Sequence, residues 1–186
     1  MKILLVEPFL ADSHASWAKG FQEFSQHQAE ILGLPGRHWK WRMYGGAVSL
    51  AKKAISSDFL PDLILATDML DLTTFIALCG KKIRSIPVVL YFHENQITYP
   101  WSPADQPNKK DRNNQYGFIN YTSALAADRV FFNSPYHQNS FLGALPDFLN
   151  QFPDHQEVDL ITTIADKSEV LPLGMDLKKL DDYKVE

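Results

Sequence analysis

Three short polar clusters each follow an apolar run of strand length: Asp12-Ser13-His14 after 2–8, His93-Glu94-Asn95 after 87–92, and Asn133-Ser134 at the end of 129–133. A histidine at a strand end can act as a general acid, donate a hydrogen bond to a sugar hydroxyl, or ligate a metal; the plain alternative is that His93 only closes the strand. Adjacent strand residues point to opposite faces, so His93 and Glu94 do not chelate one ion together, and no third ligand stands at a recognisable spacing. The helix expected after Ser13 and His14 offers backbone N–H groups and a dipole to a phosphate or carboxylate, unless Ser13 is simply its N-cap. Asn133 and Ser134 offer small hydrogen-bonding groups, and Pro135 suits the first turn of another helix, for which Ser134 is equally a plain N-cap. A fourth segment, Arg37-His38-Trp39-Lys40-Trp41-Arg42, interleaves basic and aromatic side chains. That mixture either pairs phosphates and stacks on bases or sugars, or anchors a loop on the core through its tryptophans.

The absent motifs narrow the chemistry. No glycine stands between Lys2 and Lys19, so the first turn is not a dinucleotide fingerprint, and the chain holds no Walker lysine, no G-x-S-x-G elbow and no H-E-x-x-H helix. The single cysteine, Cys79, lies in an apolar stretch, which excludes an internal disulfide or a thiolate cluster and predicts a buried, inert thiol.

These clusters need a scaffold that brings strand ends together, and the pattern supplies one. Runs 2–8, 29–34, 62–66, 87–92, 129–133 and 169–173 read as strands, with helical spacing over 15–27, 46–56, 72–79, 116–127 and 135–150 between them. Alternating strand and helix predicts an α/β fold, a Rossmann-like parallel sheet flanked by helices, in which ligands bind outside the carboxyl ends of the strands. The consecutive apolar residues Ile3 to Val6 mark a strand buried on both faces. The polar stretch 96–114, with Pro100, Pro103 and Pro107, is too long for an ordinary connection and suggests a functional loop. The stretch 151–167 reads as a surface excursion.

With 186 residues, 45% hydrophobic and 22% charged, the chain has the size and composition of a water-soluble domain with its own core. Glu7 interrupts the initial apolar run too early for a secretory signal and no run reaches membrane-spanning length, so a cytoplasmic protein without a membrane partner is expected. The net charge of -4 does not announce a polyanion binder, yet between Glu30 and Asp58 every charged residue is basic. That local excess either faces phosphate or is a solvated face.

Taken together, Ser13-His14, His38-Trp39-Lys40-Trp41-Arg42, Tyr91-Phe92-His93-Glu94-Asn95-Gln96 with Tyr99-Pro100, Gln115-Tyr116-Gly117, and Asp128 with Phe132-Asn133-Ser134 resemble the N-terminal domain of the tRNA-queuosine alpha-mannosyltransferase family. The resemblance runs through nearly the whole chain. It implies the N-terminal half of a retaining, metal-independent GT-B glycosyltransferase with no cofactor beyond a sugar-nucleotide donor such as GDP-mannose, and queuosine in tRNA as acceptor. On that reading residues 1–177 form the acceptor-side domain and 178–186 begin a linker or tail. The C-terminal donor-binding domain of the same polypeptide is missing, and the isolated domain is expected to be inactive. His93 and Glu94 then belong to the catalytic centre. Ser13, His14, Asn133 and Ser134 lie on the donor side. Trp39, Lys40, Trp41, Arg42, Asn95, Gln96, Tyr99, Gln115 and Tyr116 surround the acceptor. Where the family's first loop is glycine-rich, this chain has Leu10-Ala11-Asp12, and Asp12 would repel a donor phosphate. A non-catalytic Rossmann-like module that binds tRNA or a nucleotide is the alternative from another class.

Overall fold

A computed structural model describes residues 1–100, 113–175 and 177–180. Pro103 and Pro107 of the expected long loop, and Asp176, lie outside the described residues. Six strands, β1 (Lys2–Leu10), β2 (Gln28–Pro35), β3 (Leu63–Thr67), β4 (Val88–Phe92), β5 (Arg129–Phe132) and β6 (Ser168–Val170), form one sheet in the order β2-β1-β3-β4-β5-β6. Every pairing is parallel. The expected α/β arrangement is thus present: α1 (Asp12–Phe24), α2 (Trp39–Ser56), α3 (Leu72–Cys79), α4 (Lys81–Arg84), α5 (Asn113–Ala126), α6 (Pro135–Leu149) and α7 (Leu160–Asp166) connect the strands.

The alternation of side chains along each strand divides the core. Leu4, Val6, Ile64, Ala66, Leu90, Phe92, Val130 and Phe132 pack with apolar residues of α2, α3, α5 and α6, whereas Ile3, Leu5, Leu65 and Tyr91 meet Trp17, Ala18 and Phe21 of α1 on the opposite face. Both faces of β1 are therefore covered, as its uninterrupted apolar run requires. Cys79 is buried, and burial pushes its thiol up to about 11.

Several elements differ from the sequence pattern: α1 spans Asp12–Phe24 rather than 15–27, α5 starts at Asn113 rather than 116, and α4 has no counterpart in it. Helix α2 begins at Trp39 rather than at 46 and runs through Gly45-Gly46, because those glycines serve close approach: a Cβ on Gly45 would stand 2.5 Å from the Trp41 ring, and one on Gly46 3.1 Å from Pro8. Residues 151–167 are not a bare excursion. They contain α7, whose Ile164 is fully buried. The last strand is shorter than 169–173, ending at Val170. Among the described residues no helix is long and apolar enough to cross a membrane.

Candidate functional site

The strand order reverses direction beside β1, with β2 on one side and β3 on the other, so the chain segments leaving β1 and β3 diverge and open a crevice at their carboxyl ends. A cleft of ≈ 460 Å³ lies there, lined in part by Ser13, His14, Trp39, Glu94, Gln96 and Tyr99. Six of the residues singled out by sequence thus share one cavity.

Beneath it sits a titratable cluster that sequence pattern did not single out. Glu7, on β1, is fully buried; one carboxylate oxygen accepts the Phe9 N–H at 2.8 Å, and the other lies 2.9 Å from His14 Nδ1. Asp68, just past β3, is also fully buried, and its Oδ1 accepts the His93 N–H at 2.8 Å. Helix α5 holds that loop from below. The buried Asn120 donates to the Asp68 carbonyl and accepts the Gln96 N–H, while the buried Ser123 accepts the Leu72 N–H and donates to the Leu70 carbonyl. Burial of Asn120 and Ser123 is stable because their hydrogen bonds are made. One signal for Glu7 was legible: a lone charge flanked by Val6 and Pro8 inside an otherwise apolar stretch.

The histidines of this cluster take opposite states. Burial disfavours a proton on His14, but the hydrogen bond and charge of Glu7, with the charges of Asp68 and Glu94, outweigh it and raise the imidazole to about 9. His93, whose ring centre is 4.7 Å from that of His14, is lowered to about 3 by burial and by the charges of His14 and His137. Its ring lies edge-on to Trp17 and Tyr91. Asp68 is pushed by burial up to about 8 against the pull of His14, and burial also raises Glu94, whose Oε1 accepts from Gln96 Nε2. Among the described residues, Asp68 Oδ2, His93 Nε2 and His137 Nε2 are buried without a hydrogen-bond partner. Glu7, His14 and His93 each place one candidate ligand atom within 4.8 Å of the others. The Glu7–His14 hydrogen bond already occupies two of those three groups.

Helix α1 starts at Asp12 with Ala11 as its N-cap and no side-chain capping bond, so Ser13 is not the cap; it stands inside the first turn, facing the cleft. Asp12 has φ +46, the left-handed region in which glycine is at ease. A glycine at this position would take up that conformation without strain. The turn also packs tightly on β2's end, where a Cβ on Gly36 would come within 2.1 Å of the Ala11 Cβ.

Other singled-out residues lie elsewhere or are spent internally. Asn133 donates to the His93 carbonyl and accepts from Ser134, and the Ser134 hydroxyl accepts the His137 N–H as the N-cap of α6. The Asn95 carboxamide closes a local turn, accepting the N–H groups of Ile97 and Thr98. Tyr116 is buried with Met43, Met69 and Ile119, its ring against Trp39 and Tyr44. Gln115 accepts from the Tyr44 hydroxyl and borders a second cleft of ≈ 670 Å³ beside Phe118 and Phe152. Of the basic-aromatic segment, Arg37 and His38 precede α2, His38 as its N-cap, and Trp39 to Arg42 form the first turn. Trp39 faces the cleft with Lys40 over its ring, Arg42 donates to the Pro35 carbonyl, and Trp41 is 62% exposed.

The chain matches the family described as tRNA-queuosine alpha-mannosyltransferase N-terminal over residues 2–175. It is also 36% identical over 170 residues to a Drosophila melanogaster protein named tRNA-queuosine alpha-mannosyltransferase, a match that covers 91% of this chain and 43% of that relative.

Proposed function

This chain belongs to the tRNA-queuosine alpha-mannosyltransferase N-terminal family, and from that premise we propose that it supplies one wall of a retaining, metal-independent GT-B glycosyltransferase site. The chain spans less than half the length of that relative, and on our reading the donor is held mainly by a domain of the full-length polypeptide outside these residues. The substrate pair in this reading is a sugar nucleotide, GDP-mannose, and queuosine in tRNA; the relative's name supports the mannosyl group and the tRNA-queuosine acceptor. The observation that carries the reading is the crevice beside β1, where His14, bonded to Glu7, and the first turn of α1, which has no side-chain cap, line one rim, with the buried His93 ring centre 4.7 Å from that of His14.

In this reaction the bond between the anomeric carbon and the donor phosphate oxygen breaks, and the acceptor oxygen bonds that carbon from the same face. The acceptor proton passes to the departing phosphate. His14, with Ser13 and the first turn of α1, answers the negative charge that grows on the leaving group, where preorganised cations and N–H groups act most strongly. His93, neutral and fixed by Asp68 and Asn133, packs behind the sugar. Trp39 and Tyr99 line the acceptor approach, and Lys40, Trp41 and Arg42 extend it toward nucleic acid on the exposed side of α2. The site needs no cofactor, and the protein acts in the cytoplasm.

Transfer of labelled mannose from GDP-mannose to queuosine-containing tRNA by the full-length polypeptide tests the assignment. Activity that falls in His93→Ala is expected; undiminished transfer in that variant removes His93 from the site.

A further inference from the structure

The fully buried Glu7 carboxylate spends one oxygen on the Phe9 N–H, at the exit of β1, and the other on His14 Nδ1, in the first turn of α1. One side chain therefore ties the strand, the turn and the ring that lines the cleft. With Nδ1 committed to Glu7, Nε2 is the nitrogen His14 has left for the cavity. Resting on the reading of the cleft as a sugar-nucleotide site, we propose that Glu7 is a positioning residue: it orients the His14 ring and fixes the Nδ1 proton, so that Nε2–H donates to a phosphate oxygen of the bound anion.

A neutral histidine carries one ring proton, which sits on either nitrogen; a carboxylate at 2.9 Å from Nδ1 selects the protonated Nδ1 and favours a second proton on Nε2. The groups facing His14 come from every neighbouring element: Glu7 on β1, Asp68 after β3, and Glu94 and His93 after β4. Among them only Glu7 contacts the ring by a hydrogen bond. Asp68 is committed through Oδ1 to the His93 backbone, and Glu94 to Gln96. The cation at the cleft thus depends on one buried residue that does not line the cleft itself. The arrangement follows the general pattern in which a histidine's working nitrogen is set by the bond its other nitrogen makes.

Nitrogen-15 NMR of the histidine rings of the 186-residue chain, wild type and Glu7→Gln, with inorganic pyrophosphate as probe, tests this. Expected is a wild-type His14 protonated on both nitrogens at pH 7.5, whose Nε2 resonance shifts on adding pyrophosphate. In Glu7→Gln the ring should be neutral at that pH and bind pyrophosphate at least tenfold more weakly, with Glu7→Asp restoring part of both. A neutral His14 in the wild type overturns the proposal without any variant, which covers the event that Glu7→Gln does not fold. An unchanged His14 in Glu7→Gln overturns the role of Glu7 while leaving the cleft reading in place. A charged, Glu7-dependent His14 that pyrophosphate leaves untouched overturns the anion contact and with it that reading.

Discussion

The two halves of the sheet's carboxyl rim carry similar residues and treat them differently. Beyond β5, Asn133, Ser134 and His137 bond to one another and to the His93 carbonyl: Ser134 caps α6, Asn133 Oδ1 lies 3.2 Å from His137 Nδ1, and the His137 ring packs on Phe132. Beyond β1, β3 and β4, the carboxyl groups of Glu7 and Asp68 are drawn into the core beneath the cleft that Ser13, His14 and Glu94 line; buried atoms without a partner occur on both sides, on Asp68 and His93 here and on His137 Nε2 beyond β5, but His137 does not line that cleft. Hydrogen-bonding groups that close a local turn stabilise that turn, whereas groups that line a cleft can meet a ligand. Similar residue types at equivalent strand ends thus divide into scaffold and site by whether they line the cleft.

The strongest way to break this comparison is to truncate one residue from each half. In the full-length polypeptide, His14→Ala is expected to lower mannosyl transfer by about 100-fold, the usual cost of losing one preorganised donor at developing charge. Ser134→Ala should lower transfer by no more than about threefold while costing about 1 kcal/mol of stability, as an N-cap does. Steady-state transfer rates and urea melts of both variants check this, and similar losses of transfer would erase the distinction.

A second test sharpens the contrast between neighbouring rings. His14 has a folded value near 9, above its ordinary one, so its pairing contributes stability that is complete below about pH 6.5 and is lost as pH rises through 9. His93, lowered to about 3, works in the other sense: stability is lost as pH falls from about 6.5 toward 3. Thermal melts across pH 4 to 10 should show the alkaline loss diminished in His14→Gln and the acid loss diminished in His93→Gln.

The smallest expected effect is at the turn from β1 into α1. Asp12→Gly relieves a left-handed aspartate, worth about 1 kcal/mol, and gives up about 0.5 kcal/mol of favourable charge at the start of α1. A net gain of about 0.5 kcal/mol in thermal stability is expected, with tighter pyrophosphate binding because the negative charge is gone.

Much of the scaffold was legible because burial on both faces forces consecutive apolar residues. The run Ile3 to Val6 sits in the interior of the sheet, and α3 matches its pattern at both ends because Asp71 caps Thr74 and Gly80 ends the helix. Helix α2 was cut short in the sequence reading by its glycines, whose purpose, contact with Pro8 and Trp41, exists only in three dimensions. Site legibility followed the same division. Ser13, His14 and Glu94 were found from strand-end position and do line the cleft, but position alone did not separate them from Ser134 and Asn95, which close local bonds. Glu7, Asp68 and Asn120 were missed because a single polar residue beside an apolar run looks the same in sequence whether it faces water or is drawn inward.

Titrating GDP-mannose into the full-length polypeptide while following its histidine ring resonances tests the central claim most directly. The account predicts that His14 and His93 shift together and saturably while His137, one strand away, does not respond. A response at His137 or His155 with His14 and His93 unmoved would contradict it.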